Sequence, residues 1–167
     1  MIHKFSNNNG YGLIEVIVAA AIISTTLVTL AGAAQIAFRA VSQTLSKTQG
    51  EFLVEESLEV ARVLRDVSYA SEILPRTTGL VYYPNFSTTT NTWTITSTNP
   101  GAVHDIFTQT VLFYDVFRDA NKDIVASTTP GATLDPDTKE VVSRVVWNGG
   151  GDESIEMRTY MTDLFDN

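Results

Sequence analysis

The sequence predicts an α+β fold in which a long amino-terminal helix packs on a carboxy-terminal antiparallel β-sheet. Residues 16–38 carry no charged side chain, which is enough length for a helix that spans a membrane. An amphipathic pattern without proline continues as far as Pro75. Beyond Pro75, short β-branched segments alternate with turn residues, a pattern typical of antiparallel sheets.

Composition limits the classes of function. The chain has 167 residues, which fits one modest domain once the apolar segment is set aside. It has no cysteine, which excludes disulfides, thiolate metal ligands and cysteine nucleophiles. The net charge is −8 and no lysine or arginine cluster is present, so we expect no nucleic-acid binding. Phosphate-binding loops, zinc-ligand spacings and nucleophile elbows are absent, so we expect neither an enzyme nor a cofactor.

The amino-terminal leader differs from an ordinary secretory signal peptide. In a signal peptide the cleavage site follows the apolar core, whereas here Gly10 precedes it. Lys4 and His3 lie on the amino-terminal side of the apolar segment, which favours a cytoplasmic leader and an external body.

Glu15 is the most informative residue of the apolar segment. A carboxylate inside a membrane costs about 2.5–3.5 kcal/mol on insertion scales, so a partner that uses it is the default interpretation. The alternative is an acid that reaches back to the lipid headgroups and has no further role.

Glu15 lies in a short pattern formed with Gly10, Leu13, Ile14 and Val16. This pattern resembles the prepilin motif of type IV pilins and type II secretion pseudopilins. The resemblance implies cleavage after Gly10 by a prepilin peptidase, which also methylates the new amino terminus at Tyr11. It implies a single-pass protein of the bacterial inner membrane, with a cytoplasmic amino terminus, which later joins an extracellular or cell-surface filament. Its partners would be membrane lipid, other pilin or pseudopilin subunits and an inner-membrane assembly platform.

The motif has a physical logic. Cleavage after Gly10 would expose a cationic amine on Tyr11, and Glu15 lies one turn further along the chain. A neighbouring subunit shifted by about 5–6 Å, one helical turn, would bring its amine beside this carboxylate. Such a pair is stronger in a low-dielectric bundle than in water, so it would enforce axial stagger. The family usually has phenylalanine and threonine where this chain has Tyr11 and Gly12, and Gly12 predicts a less ordered first turn.

After Arg39 the sequence predicts that the helix continues to about Leu74, with Pro75 as its stop. Gly32 and Gly50 are the expected positions of a bend or of local melting. Apolar residues recur at helical spacing and form one stripe, predicted to cover the sheet. The stripe comprises Leu53, Val60, Leu64 and Val67, with Val54, Leu58 and Ala61 beside them.

Six strands are predicted after Pro75. Turn residues at 119–123 and 148–152 predict two hairpins, and 86–91 is predicted as an exposed loop. The helix around Phe52-Leu53-Val54, the strand from Thr138 towards Trp147 and the closing segment 157–162 look like a minor pilin or pseudopilin of the V or I type. The predicted strands are 79–83, 92–97, 109–118, 124–127, 140–147 and 154–164.

We therefore predict four regions: a leader at 1–10, a transmembrane or filament-core helix at 11–38, an amphipathic helix at 39–74 and a pilin-like β-rich head at 75–167. The predicted function is a structural subunit of a type IV pilus or a type II secretion-like pseudopilus. The acidic, fairly large head and the V- or I-like ending favour a minor subunit, and the alternative is a major one. The alternative to a filament subunit is an uncleaved, single-pass sensor or binding module in which Glu15 has no role.

Other candidate sites have simpler explanations. Asp119, Asn121 and Asp123 alternate like the first calcium ligands of an EF-hand. However, Ile124 stands where that loop needs glycine and Pro130 where it needs glutamate, so a hairpin turn is favoured and no metal is expected.

Neither the histidine nor the tryptophans of the head predict a site. His104 and Asp105 are adjacent and would point apart on a strand, so we expect a surface loop. Trp93 and Trp147 are predicted to be buried against the helix rather than to form an adhesive surface.

Overall fold

A computed structural model describes residues 11–148 and 152–164. One long amino-terminal helix packs on a six-stranded antiparallel sheet, which confirms the predicted α+β class. The chain divides into two units, Met1–Thr44 and Leu45–Asn167. The first contributes only helix among its described residues, and the second contains the remaining helical turns and the sheet.

Helix α1 spans Tyr11–Val67, 57 residues. The predicted end at Leu74 is wrong, because Ser68 adopts an extended backbone and its Oγ accepts a hydrogen bond from the N–H of Ser71. A single π turn, Tyr69–Ile73, follows this cap. Local melting at Gly32 and Gly50 is also wrong, since α1 is helical through both glycines.

The six strands confirm the predicted number of strands and their antiparallel pairing. Their order in the sheet is β2-β1-β3-β5-β6, and β4 pairs with the far end of β3. The bounds are Val81–Ser87 for β1, Thr92–Thr96 for β2, Phe107–Arg118 for β3, Ile124–Val125 for β4, Thr133–Asn148 for β5 and Asp152–Thr162 for β6.

Two predicted strand boundaries differ from the structure by more than two residues, the end of β1 and the start of β5. Phe86 was predicted to lie in a loop, but it pairs with Trp93, and only 88–91 forms the turn between β1 and β2. Strand β5 begins at Thr133 rather than at 140. Its register against β3 shifts between Asp115 and Val116, opposite the segment that contains Pro136. A bulge accommodates a proline there, because proline has no N–H for the ladder.

Both predicted hairpins are present. The 119–123 turn joins β3 to β4, whose first pair is Arg118 with Ile124. Strands β5 and β6 pair from Asn148 and Asp152 onwards, while residues 149–151 of their connection lie outside the described residues.

The core of the second unit lies between α1 and the sheet. The predicted stripe is confirmed at its centre, where Val54, Leu58, Val60, Ala61 and Leu64 are buried. Leu53 is half-buried against the same core. Val67 was predicted to join the stripe, but it is 69% exposed because α1 ends there and the chain turns at Ser68. The sheet contributes Val111, Phe113, Val141 and Val145, among others.

Candidate functional site

The first candidate site is the apolar surface of α1 over 12–44. Each of its large aliphatic and aromatic side chains is more than half exposed, and Phe38 is 75% exposed. This helix is the one in the described residues that is long and apolar enough to cross a membrane, with a mean hydropathy of 2.3 over its most apolar stretch. None of that stretch is buried, so it is not a core helix of this chain.

The hydroxyl side chains clustered at 24–29 within this surface are hydrogen-bonded inside the helix. Ser24 Oγ donates to the carbonyl oxygen of Ala20 at 2.7 Å, and Thr26 Oγ1 donates to that of Ile23 at 2.8 Å. Thr25 and Thr29 make equivalent bonds. A hydroxyl bonded to its own helix adds little cost to an apolar environment. This feature was not predicted, although the cluster of hydroxyl residues at 24–29 is its signal in the sequence.

Glu15 is the only ionisable side chain from Gly12 to Phe38. Its carboxylate is exposed on the first turns of α1 and has no hydrogen-bond or ion-pair partner among the described residues. It therefore differs from the hydroxyls of the same surface, whose bonds are internal. Any charge that compensates Glu15 in an apolar environment has to come from outside the described helix.

The structure describes only some of the other residues of the predicted processing motif. Gly10 lies outside the described residues. Tyr11 begins α1, immediately before Gly12, which is also helical. Gly12 is helical, so the low helix propensity of glycine does not prevent a helical first turn here. Among the described residues, no atom from outside its own helix lies within 4 Å of where a Cβ of Gly12 would be.

The candidate calcium residues form a hairpin turn. Asp119 Oδ1 accepts hydrogen bonds from the N–H groups of Asn121 and Asp123 at 2.9 and 3.0 Å. The N–H of Asp119 donates to the carbonyl oxygen of Asp123, which closes the turn. The structure thus favours the turn interpretation. No group of three or more histidines or acids suited to a metal occurs in the described parts of the chain.

His104 and Asp105 lie in an exposed turn before β3, as predicted for a surface loop. Both have positive φ angles, 50° and 63°, so the turn is tight. Trp147 is 5% exposed and packs in the core, which confirms its prediction. Trp93 is only half-buried. It packs against the buried cluster that contains Leu58 and Val111, whereas Trp147 belongs to another, and its ring centroid lies 5.1 Å from that of Phe86.

Gly50 allows the close approach of α1 to the sheet. A Cβ at this position would lie 3.0 Å from Cζ3 of Trp147 and 3.5 Å from Cδ1 of Ile155. The role of Gly50 is therefore packing rather than flexibility, a role that was not predicted from the sequence.

Two ion pairs join the neighbouring strands β3 and β5. Lys139 Nζ donates to Asp115 Oδ1, and Thr78 Oγ1 donates to the other oxygen of Asp115 at 2.6 Å. The hydrogen bond from Lys139, followed by that from Thr78, lowers the pKa of Asp115. Arg118 Nε donates to Asp135 Oδ2 at 2.6 Å. Burial alone would raise the pKa of Asp135, but the hydrogen bond from Arg118 and others outweigh it and the pKa is lowered.

Comparison of the chain with protein-family models, curated proteins and solved structures finds no match. The function is therefore inferred from the residues themselves and from the resemblance of the amino-terminal motif.

Proposed function

We propose that this chain is a structural subunit, of the minor class, in a type IV pilus or a type II secretion-like pseudopilus. A prepilin peptidase would cleave it after Gly10 and methylate Tyr11. The processed subunit would reside in the bacterial inner membrane and then join a filament through contacts made by α1. The observation that carries the proposal is Glu15, the one ionisable side chain from Gly12 to Phe38, which has no partner among the described residues and lies one turn after a glycine-terminated leader.

The exposed apolar surface over 12–44 suits two successive environments, the membrane and the filament core. Lipid covers such a surface in a membrane, and neighbouring helices of the same kind cover it in a filament core. The internally bonded hydroxyls of 24–29 suit both environments, because they need no water and no fixed partner.

Glu15 supplies selectivity for the second environment. A new amine on Tyr11 of one subunit would pair with Glu15 of a neighbour displaced by about one helical turn, roughly 5–6 Å. In lipid alone the carboxylate costs free energy, and in the bundle the pair offsets that cost. The pair would therefore favour transfer of the subunit from the membrane into the filament. It would also define the axial offset between neighbouring subunits.

The second unit would form the outer surface of the filament. Extraction from the membrane needs an energy source, which a separate ATPase of the assembly platform would supply, since the sequence contains no phosphate-binding loop. The acidic head and the resemblance of its last strand support the minor class. Counting subunits in purified filaments would test that assignment.

Intact-mass spectrometry of the chain isolated from its native membrane tests the proposal. The expected mass lacks residues 1–10 and includes one added methyl group. A Gly10→Leu variant should accumulate as uncleaved precursor, because a bulky residue blocks the peptidase. A wild-type chain that retains Met1, or that is cut elsewhere, would contradict the proposal and favour an uncleaved, membrane-anchored binding module.

A further inference from the structure

Strand β6 is an open edge of the sheet. It spans Asp152–Thr162, which is 11 residues, and β5 is its one neighbour among the described residues. One row of its backbone N–H and C=O groups therefore points away from the sheet. Such an edge is a template for another strand, and proteins that leave it open commonly use it for binding.

A cleft lies beside this edge, on the side of the sheet that α1 covers. Its volume is about 500 Å³. Phe52 and Leu58 from α1 and Met157 from β6 provide its apolar lining. Phe52 is 66% exposed, unlike the buried Leu58 further along the helix, so its ring is available to a ligand.

The rim of the cleft is acidic. Glu55, Glu56 and Glu59 line it from α1 together with one cation, Arg62. Arg62 is already bonded to Glu59 at 3.0 Å, and Glu56 accepts a hydrogen bond from Gln109 Nε2 at 3.0 Å. Glu55 is exposed and has no ion pair among the described residues. A ligand with lysine or arginine therefore fits this rim better than an acidic one.

We propose that β6 and the neighbouring flank of α1 bind an extended segment of a partner protein by strand addition. The segment pairs its backbone with the open edge of β6. Side chains on one of its faces enter the cleft: apolar ones contact Phe52 and Met157, and a basic one pairs with Glu55. Main-chain hydrogen bonds supply affinity in this mode, and the alternate side chains supply specificity.

A second copy of this chain is a poorer occupant. Two copies joined edge to edge at β6 would bring the same flank of α1 from each copy towards the other. Glu55, Glu56 and Glu59 would then face their own counterparts, and like charges at an interface oppose association. A basic partner avoids this repulsion.

A synthetic peptide provides a direct probe. The acetylated and amidated octapeptide Ile-Thr-Arg-Thr-Ile-Thr-Arg-Thr places isoleucine and arginine on one face of an extended strand. Fluorescence anisotropy of the labelled peptide with the full chain in detergent micelles should show saturable binding. Hydrogen exchange should show new protection at alternate amides of β6. A matched peptide with glutamate in place of arginine should bind at least about tenfold more weakly, because it meets the acidic rim.

Two N-methylated peptides test the backbone geometry. One carries methyl groups on the odd residues and the other on the even residues. Because strand addition uses the N–H groups along one edge only, one of the two should lose binding and the other should keep it. Equal binding by both, or absence of new protection on β6, would overturn the proposal.

Variants of the protein test the cleft. Phe52→Ser and Glu55→Gln alter exposed side chains, so the fold is retained and binding should fall about tenfold for each. Asp105→Asn is the matched control, since Asp105 lies in an exposed turn outside the cleft lining. Unchanged affinity in both cleft variants would overturn the proposal, as would self-association that protects β6 in place of peptide binding. None of these outcomes depends on cleavage after Gly10.

Discussion

The two stretches of helix α1 have the same backbone conformation and opposite environments. Over 12–44 every large apolar side chain is exposed, whereas over 45–67 Val54 and Ala61 are fully buried against the sheet. Helix formation alone therefore does not decide what a helix face contacts. The second stretch completes a core within the chain, and the first leaves its apolar surface for an environment outside the chain.

The hydrogen bonds of the polar groups also differ between the two stretches of α1. In the second stretch, Gln109 from β3 donates to the carbonyl oxygen of Leu53 and to Glu56, so a buried amide ties helix to sheet. In the first stretch the hydroxyls at 24–29 bond only to their own helix, and Glu15 has no partner among the described residues. The described residues thus provide no packing or ion-pair partner for the first stretch.

The largest contrast is expected between two phenylalanines. Phe113 is fully buried in the core of the second unit, and Phe38 is 75% exposed. Phe113→Ala should lower the free energy of unfolding of the head by about 3–5 kcal/mol, because it removes packed surface and leaves a cavity. Phe38→Ala should leave that free energy unchanged. Denaturant unfolding of the full chain in detergent, followed by tryptophan fluorescence, measures both. Equal losses would contradict the division of α1.

Two glycines of α1 provide a sharper comparison. Gly50→Leu should lower the free energy of unfolding by about 1–3 kcal/mol, because the new side chain collides with Trp147. Gly32→Leu should cost nothing in the same measurement, since no atom from outside its own helix lies within 4 Å of a Cβ there. If Gly50→Leu is as stable as the wild type, the close packing of α1 on the sheet is wrong.

The smallest effect concerns pH and is confined to the second unit. The pKa of Asp115 is lowered chiefly by the hydrogen bond from Lys139. The stability that this pair contributes is present above the unfolded pKa of about 3.9 and is lost as pH falls through the folded value. Asp115→Asn should therefore lower the melting temperature at neutral pH and reduce its dependence on pH below about 4.

Asp105→Asn is the control for this pH experiment, because Asp105 lies in an exposed turn and forms no ion pair among the described residues. The melting temperature of the control should follow the wild-type profile. An unchanged acid limb in Asp115→Asn would show that the contact with Lys139 contributes nothing to stability.

The sequence predicted the elements whose signals are local. Alternating apolar residues and turn residues indicate all six strands, and helical spacing indicates the buried face at Val54, Leu58 and Ala61. The end of α1 was misplaced because Ser68 is an ordinary residue until its side chain caps the next turn. The start of β5 was missed because Pro136 argues against a strand unless a bulge accommodates it.

Contacts between residues that are far apart in the chain could not be predicted from the sequence. Gly50 looks like a weak point of a helix until Trp147 is placed beside it, and the two are far apart in the chain. Glu15 could be singled out as a candidate from the sequence alone, because a carboxylate among apolar neighbours is a local signal. Its role in assembly stays a prediction. The internal bonds of Ser24 and Thr25 were predictable in principle, since they join residues one turn apart.

Incorporation of a Glu15→Ala variant into filaments tests the central claim most directly. Membrane insertion of this variant should survive or improve, because a costly carboxylate is gone. Its share in sheared and purified filaments, relative to its membrane pool, should fall well below that of the wild type. Gln35→Ala, which changes a polar but uncharged residue of the same apolar surface, is the matched control and should assemble normally. Glu15→Ala in filaments at the wild-type proportion would contradict the claim that this carboxylate directs assembly.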